Sequence, residues 1–109
     1  MTTLATLAND VSLATAAAQT GVALNYSPFL PYRSVLGFLS VAGATGSWTI
    51  LIQTSPDNAT WTTAVTLTGS GQIPSQHFEV TTDLYIRTDV SVAGTAGTFT
   101  CQLIPSSFA

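Results

Sequence analysis

Side-chain catalysis needs a nucleophile, a base or a set of metal ligands held close together. This sequence has one histidine, His77, and one cysteine, Cys101, so neither a metal site of paired imidazoles nor an internal disulfide can form. Alternation with Phe78 places His77 outward, whereas Cys101 lies at the inward position between Phe99 and Leu103. We therefore expect an exposed strand histidine and a buried thiol that packs as a small apolar group.

The carboxylates do not converge along the chain either. Asp57 lies in a predicted turn, and Asp83 and Asp89 flank a predicted strand. A calcium site joining two loops is one interpretation, because loop carboxylates are common calcium ligands, but we expect solvated turn residues. The sequence contains no phosphate-binding glycine motif and no nucleophile elbow. We predict no catalytic, cofactor or metal residues, no small-molecule substrate, and a protein that is not an enzyme.

Charged side chains are scarce, and this limits the partners. Lys and Arg together number 2 and Asp and Glu number 5, which gives a net charge of −3. Nucleic acid and anionic membrane surfaces require clustered cations, so both are excluded, and no apolar run approaches the ~20 residues of a membrane span. The N-terminal Met1–Leu4 lacks the basic start of a secretory signal, so we expect maturation in the cytoplasm of the producing cell.

Hydroxyl side chains take the place of the missing charges. The chain has 19 Thr and 11 Ser, and 6% of its residues are charged, against about 25% in an ordinary domain. A protein that must stay dispersed on its own usually carries more surface charge. This composition therefore favours a subunit that works in contact with other macromolecules in an assembly.

Alternation of apolar and polar residues predicts half-buried strands over most of the chain. The inward rows of four strands are Trp48, Ile50 and Ile52; Trp61, Thr63, Val65 and Leu67; Leu84, Ile86, Thr88, Val90 and Val92; and Phe99, Cys101 and Leu103. Strands are predicted near residues 10–16, 20–25, 33–42, 46–54, 60–68, 75–81, 83–93 and 97–104. This pattern predicts an all-β fold, an antiparallel, jelly-roll-like β-sandwich of about eight strands.

Turn residues separate these strands. Ser55–Asn58 places a proline at the second position of a type I turn, and Gly43–Gly46 and Gly94–Gly97 are glycine-bracketed hairpin loops. The two loops belong to an internal repeat, because Ser40–Thr49 and Ser91–Thr100 share Ser-Val-Ala-Gly, a second glycine and an aromatic residue at an offset of 51. The repeat indicates either similar hairpin geometry or duplication.

The length corresponds to a single domain, with residues 1–19 as an N-terminal arm and first strand and residues 20–109 as the sandwich. Leu7, Ala8 and Val11 would also fit one face of a helix, but the threonines around them are poor helix formers. We therefore predict an extended arm that is able to reach a neighbouring subunit.

One loop stands out for binding because it is apolar and stiffened by two prolines, whereas loops normally run over the surface. It consists of Pro28, Phe29, Leu30, Pro31 and Tyr32. We interpret it either as a contact with a neighbouring subunit or with a larger assembly, or as a plug that closes one end of the sandwich. The same two interpretations apply to Phe108 near the C-terminus. Tyr85, at an outward position, is a further candidate contact.

Aromatic side chains displayed on a β-sandwich can also stack sugar rings. The candidates are Trp48, Trp61, Tyr26, Tyr32 and Tyr85. Both tryptophans fall on inward rows and are expected in the core. A carbohydrate-binding β-sandwich module is therefore the alternative from another functional class.

Five segments cover most of the chain and carry a resemblance: Thr20–Leu24, Tyr32–Leu36, Ile50–Thr62, Leu84–Arg87 and Gly97–Thr100. They resemble small virion proteins of tailed bacteriophages, including capsid cement (decoration) proteins of jelly-roll form. The resemblance implies a homotrimer on the capsid surface of the virion, assembled in the host cytoplasm, that stabilises the head by bridging neighbouring subunits of the major capsid protein. A tail, fibre-attachment or other head-associated subunit is the alternative within this class. The resemblance carries no catalytic residues.

Overall fold

The computed structural model describes residues 5–23, 34–81 and 83–104. All regular secondary structure in these ranges is β-strand. The strands are β1 (Ala5–Ser12), β2 (Val22–Ala23), β3 (Ser34–Ala42), β4 (Ser47–Ser55), β5 (Thr62–Ser70), β6 (Ile73–Thr81), β7 (Tyr85–Val92) and β8 (Thr98–Ile104). No helix that is long and apolar enough to cross a membrane occurs among these residues. The predicted all-β class with about eight strands is confirmed.

The strands form two antiparallel sheets of four. Sheet A has the order β1-β8-β3-β6, and sheet B has the order β2-β7-β4-β5. The pairs β1–β8, β2–β7, β3–β6 and β4–β5 nest inside one another along the chain, and each sheet holds two of them. This is the pairing of a long hairpin rolled around a core, so the predicted jelly-roll-like sandwich is confirmed.

The N-terminal segment differs most from the strand predictions, because β1 lies upstream of the strand predicted near 10–16. β1 pairs with β8 through two register shifts, and Asp10 within the second shift has a φ of 50°. After β1 the chain crosses to sheet B, where the Val90 N–H donates to the Ala17 carbonyl at 2.9 Å. Each register shift changes side-chain parity, so β1 lacks the simple alternation by which a strand is recognised.

The core lies between the sheets and is built from the inward rows. Its largest fully buried side chains are Trp48, Phe99, Leu13, Leu39, Ile50, Ile52, Ile86, Leu103 and Val41. Trp48 is 1% exposed, and its indole N–H donates to the Gly71 carbonyl at 2.9 Å. A buried indole usually has a hydrogen-bond partner for its N–H, and here the Gly71 carbonyl is that partner.

The internal repeat in the sequence corresponds to an internal pseudo-symmetry. If each strand number in sheet A is raised by four, with β1 following β8, the order β1-β8-β3-β6 becomes β5-β4-β7-β2. This is the strand order of sheet B read in reverse. The β3–β4 and β7–β8 loops are therefore equivalent, and they touch, since the Thr95 N–H donates to the Thr45 carbonyl at 2.9 Å. Trp48 and Phe99 follow these loops at equivalent positions, and each is 1% exposed.

Candidate functional site

Of the predicted contact residues, the structure describes only one. Tyr85 begins β7 and is half-buried on the outer face of sheet B, because the next residue, Ile86, faces the core. The other candidates lie outside the described residues: Pro28, Phe29, Leu30, Pro31, Tyr32 and Phe108. Their role as contacts stays a prediction.

His77 and Cys101, the two side chains that could act in catalysis, differ in burial as predicted. His77 is exposed on the outer face of sheet A, with its ring centroid 6.0 Å from that of Phe38. Cys101 is 0% exposed, and burial raises the pKa of its thiol to about 12, so the thiol stays protonated near neutral pH and is a poor nucleophile. Within the described ranges, no three His, Cys, Asp or Glu side chains are grouped to hold a metal ion.

The expectation that Trp61 belongs to the core is wrong, and a β-bulge is the reason. One residue of β4 pairs with Val65 and the next pairs with Thr63, which leaves Ala64 as an extra residue in β5. Side-chain parity therefore reverses at Ala64. Leu67 and Val65 face the core as predicted, whereas Thr63 and Trp61 face outward, and Trp61 is half-buried rather than buried.

A second bulge moves Val92 out of its predicted row in the same way. Consecutive β4 residues, Thr49 and Ile50, pair with Val92 and Val90, so Ser91 is the extra residue. Val90 is buried, but Val92 is 50% exposed. The outer face of sheet B thus carries two apolar side chains that the alternation pattern assigns to the core.

Polar side chains tie Trp61 to the neighbouring strands. The Arg87 guanidinium carbon lies 4.3 Å from the centroid of the Trp61 ring, a cation–π contact. Arg87 Nε donates to Gln53 Oε1 at 2.8 Å, and Gln53 Nε2 donates to Thr63 Oγ1 at 3.3 Å. Trp61, Arg87, Gln53 and Thr63 therefore form one contiguous group across β7, β4 and β5, which we call the Trp61 cluster.

A glycine permits the indole to lie close to the chain that enters β2. A methyl group at Gly21 would lie 2.8 Å from Trp61 Cη2 and would collide with Asn58 Oδ1. No side chain larger than hydrogen fits there without moving the ring or the turn. The indole therefore lies over Arg87 of β7, with its Cη2 and Cζ2 atoms close to the residue before β2.

The turn before Trp61 is held by a single carboxylate. Asp57 Oδ1 accepts from the Thr60 N–H at 2.8 Å, from the Ala59 N–H at 2.9 Å and from the Ser55 hydroxyl at 3.0 Å. Asn58 adopts a φ of 60°, a conformation that Asn tolerates better than most residues. These hydrogen bonds lower the pKa of Asp57 from its ordinary value of 3.8, and the bond from the Thr60 N–H has the largest effect.

Replacing Asp57 with Ala should lower the melting temperature at pH 7, because three donors in the turn lose their acceptor. A depressed carboxyl pKa contributes stability above pH 3.8 that is lost as the pH falls through the lowered pKa. The difference between wild type and Asp57→Ala should therefore shrink below pH 3.8. Thermal melts by circular dichroism across this range measure it, and an undiminished difference in acid would contradict the assignment.

The outer face of sheet A carries a second candidate contact surface. Leu36 and Phe38 lie side by side on β3, a central strand; Leu36 is 37% exposed and Phe38 is half-buried. Glu79 and His77 of β6 stand opposite them in register, and both are exposed. Exposed apolar side chains in the middle of a sheet face, rimmed by polar groups, are typical of a contact surface.

The chain was compared with protein-family models, with curated proteins and with solved structures. No family model matches it, no curated protein matches it, and no solved structure matches it.

Proposed function

We propose that this protein is a structural virion protein, a capsid cement protein that stabilises a phage head by bridging neighbouring subunits of the major capsid protein as a homotrimer. The sequence resemblance supports this function. The structural observation that carries it is the long, neutral, open edge of sheet B. Such an edge is suited to adding a strand from a neighbouring chain.

β5 forms that edge, and in the part of the chain that the structure describes it pairs only with β4. Its nine residues, TTAVTLTGS, include no charge and no proline. Proteins that exist alone usually blunt their edge strands with charge, proline, bulges or short length. β5 has one bulge, at Ala64, but along the rest of the strand no described residue pairs with its outer backbone groups, which suits them to an incoming strand.

The other three edges are each blunted more fully. β6 contains Pro74 and Glu79, β1 has two register shifts and Asp10, and β2 has only two residues. β5 is thus the exception among the four edges of this sandwich. An edge left open in a protein with few charges fits a chain whose partners cover it.

Weak contacts suffice for a cement function when they are repeated. Clipping neighbouring capsomers together requires contact area, which the β5 edge and the Leu36–Phe38 surface offer, and it requires no reactive group. A homotrimer would engage several capsid subunits at once, so modest single contacts would add up to stable binding. The low charge also reduces the desolvation that each contact requires.

Replacing Thr66 with Lys should leave the domain folded but abolish most of its effect on heads. Thr66 is exposed in the middle of β5, and a lysine on an edge strand opposes strand addition. The wild type should be trimeric by light scattering, and adding it to heads that lack it should raise the temperature at which they release DNA. Thr66→Lys should give less than about half of that gain.

Ser12→Lys is the matched control, since Ser12 is an exposed hydroxyl residue on β1, an edge that is already blunted, and it lies at the far end of sheet A from Leu36. This variant should stabilise heads as well as the wild type does. A wild-type protein that gives heads no thermal protection would rule out the cement function. Equal protection by Thr66→Lys and wild type would remove β5 from the contact.

A further inference from the structure

We propose that the outer face of sheet B also binds a saccharide, with a neutral hexopyranose ring stacked on the indole of Trp61. This binding site uses side chains on the outer face of the sheet beside the start of β5, not the unpaired backbone groups of that strand, and it goes beyond the cement function. A virion protein that holds a glycan would attach to a polysaccharide-coated surface while its edge contacts the shell.

The position of Trp61 is the first step. The indole does not fill the core, where Trp48 already occupies the space between the sheets. Arg87 covers one face of the Trp61 ring, and the side chain remains partly exposed to solvent. A large aromatic side chain held on an outer sheet face, away from the core, is a common element of ligand sites.

The rigidity of Trp61 is the second step. Three independent contacts fix the ring: the Arg87 guanidinium at 4.3 Å, the close approach to Gly21, and the turn that Asp57 closes through backbone bonds of 2.8 and 2.9 Å. A ring that is fixed before binding loses little conformational entropy when a ligand stacks on it. The cluster is therefore preorganised as a platform.

The polar groups around the ring are the third step. Asn58 and Thr63 are exposed beside Trp61, one in the preceding turn and the other two residues further along the chain. A pyranose ring presents C–H groups on a face and hydroxyl groups around its rim. An aromatic plane bordered by an amide and a hydroxyl supplies partners for both kinds of group.

The charges near the cluster decide the class of saccharide. Asp89 lies two residues beyond Arg87 on the same face of β7, and Asp57 lies in the turn before Trp61. The single cation of the cluster is therefore accompanied by two carboxylates, in a protein of net charge −3. A carboxylated sugar would be repelled by these two carboxylates, whereas a neutral one would not.

Saturation-transfer NMR with defined probes tests the proposal on the intact protein. The neutral probes are lactose, maltotriose, cellotriose and mannotriose, and sialyllactose is the acidic counterpart of lactose. At least one neutral probe should bind saturably, and sialyllactose should bind more weakly than lactose. Trp61→Ala should weaken binding of that probe by about tenfold or more, equivalent to about 1.4 kcal/mol. Trp61→Phe should retain part of the affinity because a ring remains.

Thr68→Ala is the control variant, because Thr68 is exposed on the same face but outside the cluster, and its affinity should equal that of wild type. Circular dichroism establishes that each variant is folded. Asn58→Gly, which accepts the positive φ of the turn and removes only the amide side chain, should also weaken binding. No binding by any neutral probe would overturn the proposal, as would unchanged binding in folded Trp61→Ala or tighter binding of sialyllactose. Trp61→Ala should still protect heads, which separates this site from the cement function.

Discussion

Replacing Trp48 with Ala should lower the free energy of unfolding by about 3–5 kcal/mol, the cost of removing a large aromatic side chain from a packed core. Trp48 is 1% exposed, and a methyl group at Gly69 would lie 2.5 Å from its Cζ2, so the indole fills the space above that glycine. The substitution also leaves the Gly71 carbonyl without its indole donor. Against a total stability of about 5–15 kcal/mol, such a loss brings the domain close to unfolding.

Trp61→Ala is the internal comparison for this prediction. It removes a half-buried side chain and a cation–π contact from the outer face of sheet B, so we expect a loss of only about 1–2 kcal/mol. Urea unfolding followed by far-ultraviolet circular dichroism measures both variants without relying on tryptophan emission. Equal losses for the two substitutions would mean that the bulge at Ala64 does not separate their environments.

The fold was accessible from the sequence because alternation depends only on which face a side chain occupies. Ile50 and Ile52 in β4, and Phe99 and Cys101 in β8, are all buried as their parity predicts. Nothing about pairing partners enters that inference. Four rows of this kind, three along sheet B and one along sheet A, are enough to predict a sandwich, and turn residues then set the number of strands.

The failures of prediction have one physical origin. A bulge is a property of a strand pair, because it is defined by two residues of one strand lying opposite a single residue of its partner. The residues at Ala64 and Ser91 are ordinary strand residues, and only their pairing with β4 makes them extra. Sequence alternation continues through both positions, so it assigns Trp61 and Val92 to the wrong face.

The candidate site was harder to predict than the fold for the same reason. The alternation of β7 places Tyr85, Arg87 and Asp89 together on its outer face, where all three are half-buried. The partners of Arg87 were not foreseeable, because Gln53 and Trp61 reach it from other strands through the register of β7 on β4 and of β4 on β5. The signal that was available is the isolated arginine itself, in a chain with only two cations.

Gly97→Ala should be the second severe substitution, with a loss of more than about 3 kcal/mol from backbone strain and overpacking together. Gly97 has a φ of 98°, which L side chains rarely adopt. A methyl group there would lie 2.5 Å from the Ala44 nitrogen and 2.6 Å from the Ala42 oxygen. Both are backbone atoms, so no change of rotamer relieves the clash, and the β3–β4 loop would have to move away from the β7–β8 loop.

Gly94→Ala, in the same loop, makes this prediction specific. A methyl group at Gly94 would lie 3.5 Å from the Thr45 carbonyl oxygen, an ordinary contact, and Gly94 has no positive φ. Its replacement should change stability by no more than about 1 kcal/mol in either direction. Thermal or urea unfolding of both variants decides the matter. If Gly97→Ala lowered stability no more than Gly94→Ala does, the β3–β4 and β7–β8 loops would not pack backbone against backbone at Gly97.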